Sequence, residues 1–125
     1  GLWSNWKLLV WDKMVLGMGY HFRSQHEYVV LLDKGKNRPP AHLNLGDVLR
    51  FTPDKKLVPT QKPIALFELL ISELTETGAT ILDPFAGSGT ALRAAKNLGR
   101  RAVGIELSET SCELIAGRMA QLVLA

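Results

Sequence analysis

The segment "ILDPFAGSGTALRAA", Ile81 to Ala95, decides how the rest of the chain is read. An apolar run reaches an acid and a proline, turns through two closely spaced glycines, and enters an alanine-rich stretch. This order predicts a strand, a tight loop and a helix, the place where open α/β sheets bind ligands. Gly87 and Gly89 permit backbone torsions and a close ligand approach that a β-carbon would block.

Spacing separates the ligands such a loop can take. A phosphate-binding P-loop needs four residues between its glycines and then a lysine, and no such lysine follows Gly89. The dinucleotide fingerprint needs a small residue at position 92, where this chain has Leu92. Asp83 points the same way: a carboxylate at a strand end repels a diphosphate and suits a cationic group such as an ammonium or a sulfonium. Glu106 follows about 20 residues on, where dinucleotide folds place an acid against ribose hydroxyls. Asp83, the glycines and Glu106 together describe a nucleoside with a positively charged tail, and S-adenosylmethionine fits that description. The plain alternatives are a tight turn without a ligand and, for Glu106, a solvated strand end.

Working outward, "RAVGIELS" reads as a second strand and "ETSCELIAGRMAQLVLA" as a final helix, with Ser108 as its N-cap. Upstream, Ile64, Phe67, Leu70, Ile71 and Leu74 recur at helical spacing after Pro63, and Gly78 is expected to end that helix. Helix, strand, helix, strand, helix makes an α/β unit with a parallel strand pair. Nearer the start, "NWKLLVWDK" (Asn5–Lys13) and "HEYVVLLDKG" (His26–Gly35) read as two strands of an antiparallel hairpin. The run Lys36–Pro63 holds five of the six prolines and reads mostly as connector. The expected organisation is a single domain over 1–125: a hairpin region at 1–35, a connector at 36–63 and a cofactor-binding α/β unit at 64–125.

Bulk properties constrain function little. The 125 residues are 46% hydrophobic and 22% charged, an ordinary globular composition, and a net charge of +3 is compatible with a nucleic-acid partner. Cys112 is the one cysteine, so no internal disulfide and no cysteine-based metal site is expected. No apolar run approaches a membrane span and no signal peptide is visible, so the reading is cytoplasmic, without a membrane. The chain begins at Gly1 without methionine and is read as partial.

"LDPFAGSGT" closely resembles the cofactor-binding motif of the amino-methylating DNA methyltransferases, which modify adenine N6 or cytosine N4. "PTQKPIALFELLI" (Pro59–Ile71) resembles the segment these enzymes place before their cofactor helix. "LLVWDKMVLGMGYHFRSQHEYVVLLDKG" resembles the region after their catalytic strand. The order, with Thr60-Gln61-Lys62-Pro63 upstream of the glycine loop, matches the circularly permuted, β-class-like group. The resemblance implies an α/β, Rossmann-like methyltransferase fold, incomplete here, carrying an antiparallel hairpin. It implies S-adenosyl-L-methionine as cofactor, held by Asp83, Pro84, Phe85, Gly87, Ser88, Gly89 and Thr90. Glu106 would hold the ribose, Leu107 and Ser108 would lie near the adenine, and Thr60 and Lys62 would approach the methionine end.

The family's acceptor site is a short Asp/Asn/Ser-Pro-Pro-aromatic tetrapeptide facing the flipped base. It is not found: Pro39-Pro40 follows Arg38 and precedes Ala41. No catalytic or metal-binding residue is therefore assigned, and cofactor binding without methyl transfer by this chain alone is expected. A non-catalytic or oligomerising remnant is the alternative. Without the strands that bear the tetrapeptide, exposed edges and faces are expected to pair with another copy or a complementing fragment. DNA is the implied partner. Lys34, Lys36 and Arg38 are positioned to meet its backbone, although a solvated loop is the first reading of that cluster. Arg23, His26 and Glu27 resemble a family segment near the target base but read first as structural, as do Trp3, Trp6 and Trp11.

Overall fold

The computed structural model describes residues 1–36, 38–54 and 61–121. They form two compact units, Gly1–Thr52 and Pro53–Ala125.

In the first unit, β1 (Asn5–Asp12) pairs antiparallel with β2 (His26–Asp33), in a register running from Asn5 opposite Asp33 to Asp12 opposite His26. The hairpin read from the sequence therefore forms. A third strand, β3 (Val48–Arg50), adds parallel to β1 and places β1 in the centre. It falls inside the stretch read as connector, where three residues are too few to show a periodicity. One face of this sheet buries Trp11 and Leu49, and the indole Nε1 of Trp11 donates to the Phe51 carbonyl at 2.8 Å. The opposite face is an exposed apolar ladder, with Trp6 across from Leu32 and Leu8 across from Val30.

The second unit is built on α1 (Ile64–Leu74), β4 (Thr80–Asp83), α2 (Thr90–Asn97), β5 (Arg101–Gly104) and α3 (Glu109–Ala120). β4 and β5 pair in parallel, Thr80 opposite Arg101 and Asp83 opposite Gly104, with α2 as the crossover. Ile71, Ala94 and Ala95 form the core, packed by Ile64, Phe67, Ile81, Leu98 and Ala102. Alanines suit this position because they favour helix and let α2 approach both α1 and the strands closely. The other face of the pair is bare, leaving Leu82 and Val103 exposed opposite each other.

Helix ends have specific causes. Pro63 has no side-chain cap to offer, so the Asp54 carboxylate accepts the Ile64 N–H at 2.8 Å from ten residues upstream. α1 stops at Leu74, four residues before Gly78, because Thr75 turns extended and its N–H closes on the Ile71 carbonyl. Arg100 secures that end by donating to the Thr75 carbonyl at 2.6 Å and to Leu98 at 2.7 Å. α2 closes in a Schellman motif, with Gly99 N–H on Lys96 and Arg100 N–H on Ala95. Ser108 caps α3, its hydroxyl accepting the Ser111 N–H at 3.3 Å.

Gly104 sets how closely α2 meets β5. A β-carbon there would run into Leu92 Cδ1 and lie 3.2 Å from the Ala86 side chain. Leu92 is thus accommodated by a glycine on the facing strand. Gly104→Ala is expected to destabilise by about 1–3 kcal/mol through overpacking. Leu92→Ala should cost about 2–5 kcal/mol through the space it leaves. In urea unfolding the double substitution should cost less than the sum of the two, and strict additivity would contradict the contact.

Candidate functional site

The loop after β4 and the turn after β5 meet because the parallel ladder runs past both strand ends. Ile105 N–H donates to the Asp83 carbonyl at 2.9 Å, and Ala86 N–H to Ile105 at 2.9 Å. The next link is a side chain. Glu106 Oε2 accepts the Gly87 N–H at 2.7 Å, while Oε1 accepts the Ser108 N–H at 2.9 Å. The Ser108 and Gly87 N–H groups favour the charged form, so the carboxyl is held below its ordinary value of 4.5. The Leu107 N–H acts on the same carboxylate, and an ionised carboxylate has about four acceptor directions, so capacity for a further donor remains.

Asp83 ends β4 half-buried, and its Oδ1 accepts the Phe85 N–H at 3.0 Å, which shapes the start of the loop. Pro84 and Phe85 are exposed, Phe85 at 88%. Gly87 is half-buried, whereas Ser88 and Thr90 are 5% and 4% exposed, their hydroxyls 3.1 Å apart. Gly89 has φ +76 and begins α2; a β-carbon on it would come within 2.9 Å of Ile115 Cγ1. Beyond Glu106, Leu107 is fully exposed and Ser108 starts α3. One end of the strand pair therefore gathers Asp83 to Thr90 with Glu106 to Ser108. Lys62 lies in the irregular segment before α1, half-buried and one residue before the fully buried Pro63. Thr60 lies outside the described residues.

Glu106 is an oriented hydrogen-bond acceptor here, and Phe85 and Leu107 are exposed apolar side chains. Among the described residues no cluster of His, Cys, Asp or Glu is placed to hold a metal, and no helix is long and apolar enough to cross a membrane.

Sequence reasoning passed over three residues that build this site. Ile115 fills the space beside Gly89. Arg118 Nη1 donates to the Ser88 carbonyl at 2.6 Å and reaches the Ser88 and Thr90 hydroxyls at 3.4 and 3.3 Å. Burial and the neighbouring Arg93 cation lower the affinity of Arg118 for its proton, with Asp54 opposing. Ala86 supplies the carbonyl that accepts the Gly89 N–H at 2.7 Å. The one signal for the first two was their three-residue spacing on α3, which places them on one face.

Glu106 binds its proton less readily in the folded chain than unfolded, so its stabilising effect is complete above the ordinary glutamate range. It is lost as pH falls through the lower folded-state value. Amide exchange, corrected for its intrinsic pH dependence, should show Gly87 and Ser108 losing protection in that acid window. Glu106→Gln should lower their protection at neutral pH and abolish the acid-dependent change; an unaltered profile in the variant would contradict the assignment.

Comparison with known proteins identifies the family and the fold. Residues 40–117 match the family model described as DNA methylase, N6/N4 type. The chain is 38% identical over 102 residues to the methylase YubD of Escherichia coli K12, covering 81% of this chain and 44% of that protein. It is 32% identical over 103 residues to the type II methyltransferase M.HhaII of Haemophilus parahaemolyticus, covering 80% and 45%. The chain thus spans about half the length of these relatives. The crystal structure of an M1.HpyAVI–SAM complex superposes with a TM-score of 0.75 at 27% identity, over 92% of this chain and 62% of that one. The α/β arrangement is that of the S-adenosylmethionine-dependent methyltransferase fold, present in part, and the chain belongs to the N6/N4 DNA methylase family.

Proposed function

We propose that this chain binds S-adenosylmethionine at the Asp83–Thr90 loop, as the cofactor-holding portion of a DNA methyltransferase acting on adenine N6 or cytosine N4. The observation that carries this reading is the Glu106 carboxylate, which is fixed by backbone N–H groups and keeps acceptor capacity for a ribose hydroxyl. A charged acceptor already oriented this way loses little freedom on binding. Asp83 adds negative charge at the strand end, where a sulfonium nucleoside needs it. Phe85, Leu107 and Ser108 border the base. Pro84, Gly87, Ser88, Gly89 and Thr90 form the wall, with Lys62 at the methionine end; the family resemblance assigns Thr60, outside the described residues, to the same end. The bound cofactor would supply an electrophilic methyl group; the chain's own contribution is orientation and electrostatics.

Related proteins are DNA methylases, and the charge distribution favours DNA as partner. Gly1–Thr52 carries seven basic residues against four acidic, whereas Pro53–Ala125 carries eight of each. The net positive charge therefore belongs to the hairpin unit, which includes Lys34, Lys36 and Arg38. The chain's one Pro-Pro pair lacks both the neighbouring acid or amide and the aromatic of an acceptor tetrapeptide. The 125 residues alone are therefore expected to bind cofactor without transferring methyl, and labelled methyl appearing in duplex DNA would contradict this. The exposed ladder of Trp6, Leu8, Tyr28, Val30 and Leu32 is the reason to expect self-association. Light scattering should give a dimer or larger species, and a monodisperse monomer would sink that part.

Calorimetric titration with S-adenosylmethionine tests the main reading. Saturable binding is expected, weakened about tenfold or more by Glu106→Ala through loss of charged hydrogen bonds. Asp83→Ala should weaken it as well. No heat at millimolar ligand defeats the proposal, and unchanged affinity in both variants moves the pocket elsewhere.

A further inference from the structure

No residue of α3 is fully buried, and its half-buried Leu114, Ile115 and Met119 are supplemented by polar contacts. These polar contacts run both ways between α2 and α3. Arg93 Nη1 donates to the Arg118 carbonyl at 2.9 Å and to Gln121 at 2.8 Å, and Lys96 Nζ donates to Met119 and, at 3.0 Å, to Gln121. Cations on α2 thereby satisfy carbonyls at the end of α3, which have no partner within their own helix. In return, Arg118 on α3 reaches the start of α2 and the loop before it. Its Nη1 meets the Ser88 carbonyl at 2.6 Å and both loop hydroxyls, while Ile115, one turn earlier, lies against Gly89.

The loop needs such restraint. Ser88 is flanked by two glycines in the left-handed region, with φ +55 at Gly87 and +76 at Gly89. Glycines lose the most backbone freedom on ordering, and peptide planes beside them turn over at little cost. Each peptide is planar and trans, so fixing a carbonyl also fixes the direction of the N–H that follows it. Two charged groups do this on adjacent residues. Glu106 takes the Gly87 N–H at 2.7 Å, and Arg118 takes the Ser88 carbonyl, whose partner N–H on Gly89 then closes on Ala86.

We infer that Arg118 is a positioning residue for the cofactor loop: through the Ser88 carbonyl and the Ser88 and Thr90 hydroxyls it sets the Ser88–Gly89 peptide in the orientation that receives the ligand. The inference concerns the site described above and rests on the cofactor reading for its binding consequence. The orientation of the peptide itself is independent of that reading. Arg118 touches neither cofactor nor reacting atoms in this account; it acts through the loop, and α3 serves as the brace that carries it.

The test uses the full chain with Arg118→Gln, Arg118→Lys and, as a control on the exposed side of α3, Glu113→Gln. Amide exchange in the ligand-free protein and S-adenosylmethionine affinity are both measured. Losing a hydrogen bond from a charged donor should speed exchange at Gly87 and Gly89 about tenfold in Arg118→Gln. Ile81 and Val103 should be unaffected, and the far-UV spectrum and unfolding midpoint should show the fold retained. Cofactor affinity should fall by a similar factor, and Arg118→Lys, which keeps one charged donor, should recover most of both losses. Glu113→Gln should match the parent. If Arg118→Gln fails to fold, the partial losses in Arg118→Lys decide. Faster exchange confined to α3, with the loop amides and affinity unchanged, overturns the inference. Absence of cofactor binding by the unsubstituted chain defeats the cofactor reading instead, while the loop exchange rates still decide whether Arg118 positions the peptide.

Discussion

The hydrogen bond from the Gly87 N–H to the Glu106 carboxylate, 2.7 Å long, closes the end of a strand pair only four residues deep. Backbone pairing continues through Ile105 and Ala86, and the carboxylate completes the series where no further backbone carbonyl takes the Gly87 N–H. The same carboxylate turns the chain at Ser108 into α3. One charged group thus joins the loop, the strand pair and the last helix. The N–H donors favour its ionised form, which accepts these bonds more strongly than the neutral acid would, so the same contacts that lower its proton affinity tie the link to acid pH.

Around that link, α2 is the element on which the second unit is assembled. Its alanines face the core and permit close approach, and its basic residues take carbonyls from α3. Asn97 adds a bond to Glu68 on α1 at 2.8 Å. Small side chains on one face and long cations on another let eight residues organise four neighbouring elements. Gly104 extends the logic, because the space that a dinucleotide fingerprint obtains from a glycine on the helix is here provided by the strand. A different residue satisfies the same steric demand, and Leu92 gains a buried position.

Features that depend on neighbours in sequence were legible. The hairpin, the parallel pair and the α3 cap follow from alternation, from glycine and proline punctuation, and from one serine ahead of a helical pattern. The acid–proline–glycine loop and the acid one helix and one strand later were also visible as a group, and the structure places them at one end of the pair. Long-range satisfaction of polar groups was not legible. Asp54 capping α1, Arg100 joining the ends of α1 and α2, and Arg118 reaching Ser88 each span ten to thirty residues. Nothing in the local pattern distinguishes these side chains from solvated ones. The early end of α1 has the same origin, since Thr75 is drawn out of the helix by Arg100 as well as by its own extended preference.

The central claim is that the paired strand ends form one nucleoside seat, and amide chemical-shift mapping during titration with S-adenosylmethionine tests it most directly. The account predicts saturable shifts concentrated at Phe85–Thr90 and Glu106–Ser108, with β1 and β2 unmoved. Saturable shifts centred on the hairpin unit, or none at either loop, would contradict it.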